Sequence, residues 1–208
     1  MKRRGCTATI LDATLLPAIW FQGAAEGYTA TMMKNALAEG LVAGTVGVIA
    51  MTAGEKIEQT FTGRPNSHVP GRVLARLTGG SESAGAESTA LNWAMHFGQG
   101  MALGMLRSIM AEVGLRGPLS SAKFTVVRLT NDQIFENATG VGAPPQTWPR
   151  AELALDFFHK TVYAFATGAV SDALAARRGP GPGQLHAAAA TGRHPDGAPV
   201  PRSSAWGR

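Results

Sequence analysis

The stretch STALNWAMHFGQGMALGML, residues 88–106, runs nineteen positions without a Lys, Arg, Asp or Glu. At helical rise it is ~28 Å long, close to the hydrocarbon thickness of a bilayer, and no other uncharged run in the chain reaches the usual length of a span. Its polar residues are not scattered. Asn92, His96 and Gln99 fall on one helical face, so in any solvent this helix must turn that face toward water or toward protein partners.

A second feature points the same way. In the segment 34–60, Gly40, Gly44, Gly47, Met51, Gly54 and Glu58 share one stripe at 100° per residue. Glycines weaken a helix in water by ~1 kcal/mol each relative to Ala, but in a membrane they let a second backbone approach closely. Gly100 and Gly104 repeat the small-xxx-small spacing inside the uncharged run. Charged residues are only 16% of the chain, against ~25% in ordinary domains. Mean hydropathy, +0.01, is low for a protein made mostly of spans, and polar termini account for part of that.

Two further helical segments follow. Residues 119–138 carry Arg128, Asp132 and Glu136 at i, i+4 and i+8, and residues 150–176 carry Asp156 and Lys160 at i, i+4. Local ion pairs are therefore available before any tertiary contact forms. Both segments need their charges turned inward, or placed near a surface, if they are to cross a membrane. The connection 62–80 suggests turns and a short helix at 71–77. The proline-rich 139–150 suggests a stiff hairpin, with Trp148 placed to anchor at a membrane interface.

The net charge of +5 does not make a nucleic-acid binder. Between Lys34 and Arg177, 12 basic residues stand against 11 acidic ones, so the excess is mostly a property of the C-terminal 31 residues, and no basic stripe is interleaved with aromatics. The single Cys6 excludes an intramolecular disulfide. P-loop, dinucleotide-binding and nucleophile-elbow patterns are absent from the sequence.

These observations predict an all-α protein: a four-helix membrane bundle over 34–177, preceded by a poorly structured or leader-like extension at 1–33 and followed by a disordered tail at 178–208. Its expected partner is the lipid bilayer, its location an integral multi-pass membrane one, and its role that of a structural or interaction component or minor transporter. No cofactor is implied. The candidate site is a buried polar network of Glu58, Asn92, His96, Gln99, Arg128, Asp132, Glu136, Asp156 and Lys160. One alternative is a metal-dependent enzyme, because Glu55, Glu58, Asp132, Glu136, Asp156 and His159 include the carboxylate and D-x-x-H spacings of di-metal bundles. Another is a soluble amphipathic helical bundle with its polar stripes wet.

Four blocks, GEKIEQTFTGRPNSHVP, LNWAMHFGQGMALGMLR, RLTNDQIFENATGVGAPPQTWP and DFFHKTVYAFATGAVSD, together resemble an uncharacterised family of small multi-pass membrane proteins. The resemblance covers about residues 36–176. It implies four membrane-associated helices and no assigned activity.

Overall fold

The computed structural model describes residues 15–189, with side chains from residue 30 onward except Ala86. The chain falls into two units, 1–35 and 36–208. In the first, the described residues 15–35 are helical and open α1 (Leu15–Thr62). The second holds the rest of α1 and, in order, α2 (Val69–Leu77), α3 (Glu82–Glu87), α4 (Thr89–Glu112), α5 (Pro118–Thr139), α6 (Arg150–Ala176) and α7 (Pro182–Ala189), with a 3-10 turn at Pro145–Thr147.

Local chemistry sets the boundaries. Ser88 caps α4 by accepting from Leu91 N–H at 3.2 Å, and Ser81 caps α3 through Ala84 N–H at 3.3 Å. Pro118 starts α5, where its missing N–H leaves nothing unpaired. Gly140, at φ 69°, ends α5 in the left-handed conformation. Pro149 precedes α6.

Packing within the second unit brings α4 against α2 and α6, and α5 against α6, while α3 braces α2. The α1 and α4 backbones cross in contact through glycine. A Cβ added at Gly44 would lie 2.3 Å from Gly100 O, and one at Gly104 would lie 2.3 Å from Gly40 O. The core beside this crossing contains Val48, Met51, Leu103, Phe124, Tyr163 and Ala164. Tyr163 is fully buried there and donates its hydroxyl to Gly100 O at 2.6 Å. Burial pushes its pKa up to about 12.

Charges are also inside. Arg107 of α4 is 0% exposed and donates to Asp172 Oδ1 of α6 at 2.8 Å and to Leu115 O at 3.3 Å. Asp172 Oδ2 in turn accepts from Gly117 N–H at 2.8 Å, tying the start of α5 to α6. Just beyond α6, Arg178 pairs with Glu39 of α1 at 2.6 Å and with Glu112 of α4. Gly183 N–H then donates to Val113 O at 2.8 Å.

The all-α class stands; the four-helix membrane bundle does not. Among the described residues one helix, over Ala30–Thr62, is long and apolar enough to cross a membrane, where four were expected. The uncharged run of α4 continues into Arg107 and Glu112, both buried and ion-paired within the fold. This overturns the resemblance to a multi-pass family, the integral-membrane location, the bilayer as partner, and the membrane structural or transport role. The architecture fits the amphipathic-bundle alternative better, although the polar stripes of α5 and α6 are buried rather than wet. The indole N–H of Trp148 donates to Ala143 O at 2.8 Å, bracing the proline-rich connection. Of the segments expected to form extension and tail, residues 1–14 and 190–208 lie outside the described residues. Residues 15–33 belong to α1, and 182–189 form α7.

Candidate functional site

At the end of the bundle where α1 finishes, α4 begins, α5 finishes and α6 begins, the helices enclose a cleft of about 590 Å³. The helical period places one polar group per turn toward it: Thr52 and Glu55 from α1, Asn92, His96 and Gln99 from α4, Arg128, Asp132 and Glu136 from α5, and Asp156, His159 and Lys160 from α6. Trp93 and Trp148 add aromatic wall.

Asp132 is the hub. Its Oδ1 accepts from Gln99 Nε2 at 2.6 Å, and its Oδ2 lies 3.3 Å from Arg128 Nε and 3.1 Å from Lys160 Nζ. Lys160 continues the chain to Asp156 Oδ1 at 2.5 Å. Two cations and two carboxylates thus close a neutral network. Arg128, Asp132 and Lys160 are each at least nine-tenths buried. The Arg128 guanidinium stands 5.0 Å over the Tyr163 ring, a geometry that adds cation–π attraction.

Other sequence-predicted residues take different places. Asn92 Oδ1 accepts from Gly71 N–H at 3.0 Å, joining α4 to α2. Glu58 is outside the cleft lining; it pairs with Arg64 at 3.0 Å and accepts from Thr62, and the Arg64 hydrogen bond, helped by Thr62, holds its carboxyl below the usual range. Glu55 accepts from Gln59 Nε2 at 3.2 Å. Glu136 receives a single long contact from Gln133 at 3.4 Å. Burial pushes the Glu136 carboxyl up, reinforced by Asp132 and Asp156 and opposed by Lys160.

No group of three or more His, Cys, Asp or Glu is placed to hold a metal ion among the described residues, which overturns the metal-enzyme alternative. The physical reason lies in Lys160. Its ammonium sits between Asp132 and Asp156, where a metal would need both carboxylates.

Several buried polar atoms lack a hydrogen-bond partner among the described residues. Arg128 Nη1 and His159 Nε2 are the ones on cleft-lining residues of α5 and α6, besides Arg128 Nε, which lies 3.3 Å from Asp132. Arg72 Nε, Arg107 Nε, Asn131 Nδ2, Gln133 Oε1 and Thr167 Oγ1 share the condition away from the cleft. Thr52 Oγ1, of another lining residue, lacks a partner as well. Such groups are few in native structures and cost free energy when left alone. Glu55 and Glu136 form no ion pair among the described residues: Arg64, Arg128 and Lys160 pair with Glu58, Asp132 and Asp156, and Lys56, at the exposed edge of the cleft, donates to Gln59 and Asn66 instead. The cleft therefore presents polar atoms without partners together with carboxylates that form no ion pair. Sequence reasoning placed Glu55 and His159 only as metal ligands and missed Thr52 and Trp93. The i, i+3 spacing of Thr52 with Glu55, and of Asp156 with His159, was the available signal.

Of the three histidines lining the cleft, His96 and His159 have lowered pKa values. For His96 the main cause is burial, then Arg128, against Glu55 and Asp132; for His159 burial again leads, against Glu55. The folded protein keeps them neutral, whereas the unfolded chain protonates them at the ordinary value of 6.5. Their contribution to stability is full above 6.5 and is lost as pH falls below it. Glu136 acts in the opposite sense, because its raised pKa favours the folded state on acidification. In denaturant titrations at neutral pH and at about pH 5, His96→Gln and His159→Gln are expected to lose less stability on acidification than the parent chain. Equal losses would show that neither imidazole is held neutral by the fold.

No family model, curated protein or solved structure matches the chain.

Proposed function

We propose that this chain is a ligand-binding helical bundle, and that its cleft takes a small zwitterionic organic molecule. One observation carries the reading: buried polar atoms without partners, Arg128 Nη1 and His159 Nε2, share a cleft with carboxylates that form no ion pair, Glu55 and Glu136. An anionic group suits the guanidinium, whose planar donors match carboxylate geometry. An ammonium group suits the opposite requirement, and Trp93 and Trp148 provide ring surface for a cation. A purely anionic ligand would leave Glu55 and Glu136 uncompensated, and a purely cationic one would leave the Arg128 and His159 atoms unpaired. Joining both charges in one molecule answers both needs.

The test is calorimetric titration of the full chain with glycine betaine, set against acetate and tetramethylammonium as its separate halves. Betaine is expected to bind at least about tenfold more tightly than either half, a difference of ~1.4 kcal/mol. Glu136→Gln, at a partly exposed position, is expected to weaken betaine while leaving acetate unchanged. Betaine binding no better than acetate, or no binding by any of the three, would overturn the proposal.

A further inference from the structure

A second cavity, of about 410 Å³, lies between α2, α4 and α5. Its character is different. Leu74 and Leu77 of α2 and Leu103 and Leu106 of α4 give it an apolar wall, and Ala94, Gly98 and Ala102 set small side chains at i, i+4 and i+8 along it. Only Gln99 and Asn131 bring amides; the Gln99 amide N–H is already committed to Asp132 at 2.6 Å, and Asn131 Nδ2 is the one buried polar atom on this wall without a partner among the described residues.

The two cavities are neighbours. Met95, Gln99 and Phe135 line both. Met95 is buried, and its unbranched thioether side chain repacks at low cost. A molecule with its charged head in the polar cleft therefore meets, one side chain away, a surface that gains from covering with hydrocarbon. Leu77 and Leu106, 50% and 41% exposed, are the apolar rim such a chain would cover.

We propose that the ligand is a single-chain zwitterionic amphiphile, its head in the cleft and its alkyl chain in the groove over Gly98. The inference rests on the cleft reading above for the head and on the adjoining groove for the chain. The occupant follows from that continuity: the groove adjoins a cleft of spare charges, and its small-residue wall leaves room for a narrow chain. A partner's helix or a second copy of the protein would use the groove without the cleft.

The experiment titrates the full chain with N-alkyl-N,N-dimethylglycines in which the alkyl group is methyl (betaine itself), butyl, hexyl or octyl, all below their micelle concentrations. Affinity is expected to rise by up to about fourfold per methylene buried. In Gly98→Leu the gain with chain length should vanish while betaine binds as before. A Cβ at Gly98 meets nothing within 4 Å, and Leu is the better helix former, so this variant fills the groove without disturbing the fold. Betaine binding with no dependence on chain length would overturn this inference and leave the cleft reading standing. Failure of betaine to bind would remove the cleft reading, and the head assignment with it. A chain-length gain that survives Gly98→Leu would place the tail elsewhere and overturn the proposal. So would a dimer, seen by sedimentation, that Gly98→Leu dissociates, because a second copy would then occupy the groove.

Discussion

Asp132→Leu is expected to cost about 3–5 kcal/mol of folding free energy at neutral pH, among the larger losses any single substitution in this chain should give. The carboxylate is 7% exposed and is the one group that meets Gln99, Arg128 and Lys160 together. Removing it leaves Arg128 with only the Tyr163 ring beside its charge and Lys160 with only Asp156. The loss is dominated by uncompensated buried charge rather than by the missing pairs themselves. Adding Lys160→Met to Asp132→Leu should therefore recover part of the stability, giving a coupling energy of about 1–3 kcal/mol in a double-mutant cycle. Chemical denaturation of the four proteins measures it. A loss under about 1 kcal/mol for Asp132→Leu, within the range of exposed pairs, would show that the network is solvated and that Asp132 is not its hub.

That network shows where the sequence was legible and where it was not. The long helices of the second unit were readable because their limits are local. Ser88, Pro118, Gly140 and Pro149 stand at their ends, and the expected 119–138 and 150–176 compare with the observed Pro118–Thr139 and Arg150–Ala176. The i, i+4 pairs Arg128 with Asp132 and Asp156 with Lys160 were readable for the same reason. The link between helices was not. Lys160 reaches Asp132 across 28 positions, and Arg107 finds Asp172 across 65. No spacing rule announces such a partner. The membrane expectation failed on this point: an uncharged run reports its own apolarity but not whether the charges beside it are satisfied inside the fold. Arg107 and Glu112, immediately beyond the run, acquire partners from α6 and from Arg178. The cleft was hidden similarly. Its polar residues were visible one helix at a time, but the unpartnered atoms of Arg128 and His159 emerge only when four helix ends converge.

The glycine stripe leads to the second large effect, with a sign that depends on position. At Gly104 an added Cβ would stand 2.3 Å from Gly40 O, 2.5 Å from Gly44 Cα and 2.6 Å from Gly44 N. All three are backbone atoms, so no rotamer change relieves the overlap, and α1 and α4 must part along the crossing. Separation would loosen Val48 and Leu103 in the adjoining core and strain the Tyr163 bond to Gly100 O. Gly104→Ala is expected to cost at least about 1–3 kcal/mol, the range for overpacked cores, despite the better helix propensity of Ala. Gly54 lies on the same α1 stripe, yet a Cβ there meets nothing within 4 Å. With only helix propensity at work, Gly54→Ala should stabilise the protein by about 0.5–1 kcal/mol. Thermal denaturation of both variants separates packing from propensity, since the chemical change is identical. Stabilisation by both would mean that the α1 and α4 backbones are not in contact in solution; a loss at Gly104 alone would locate the effect at their crossing.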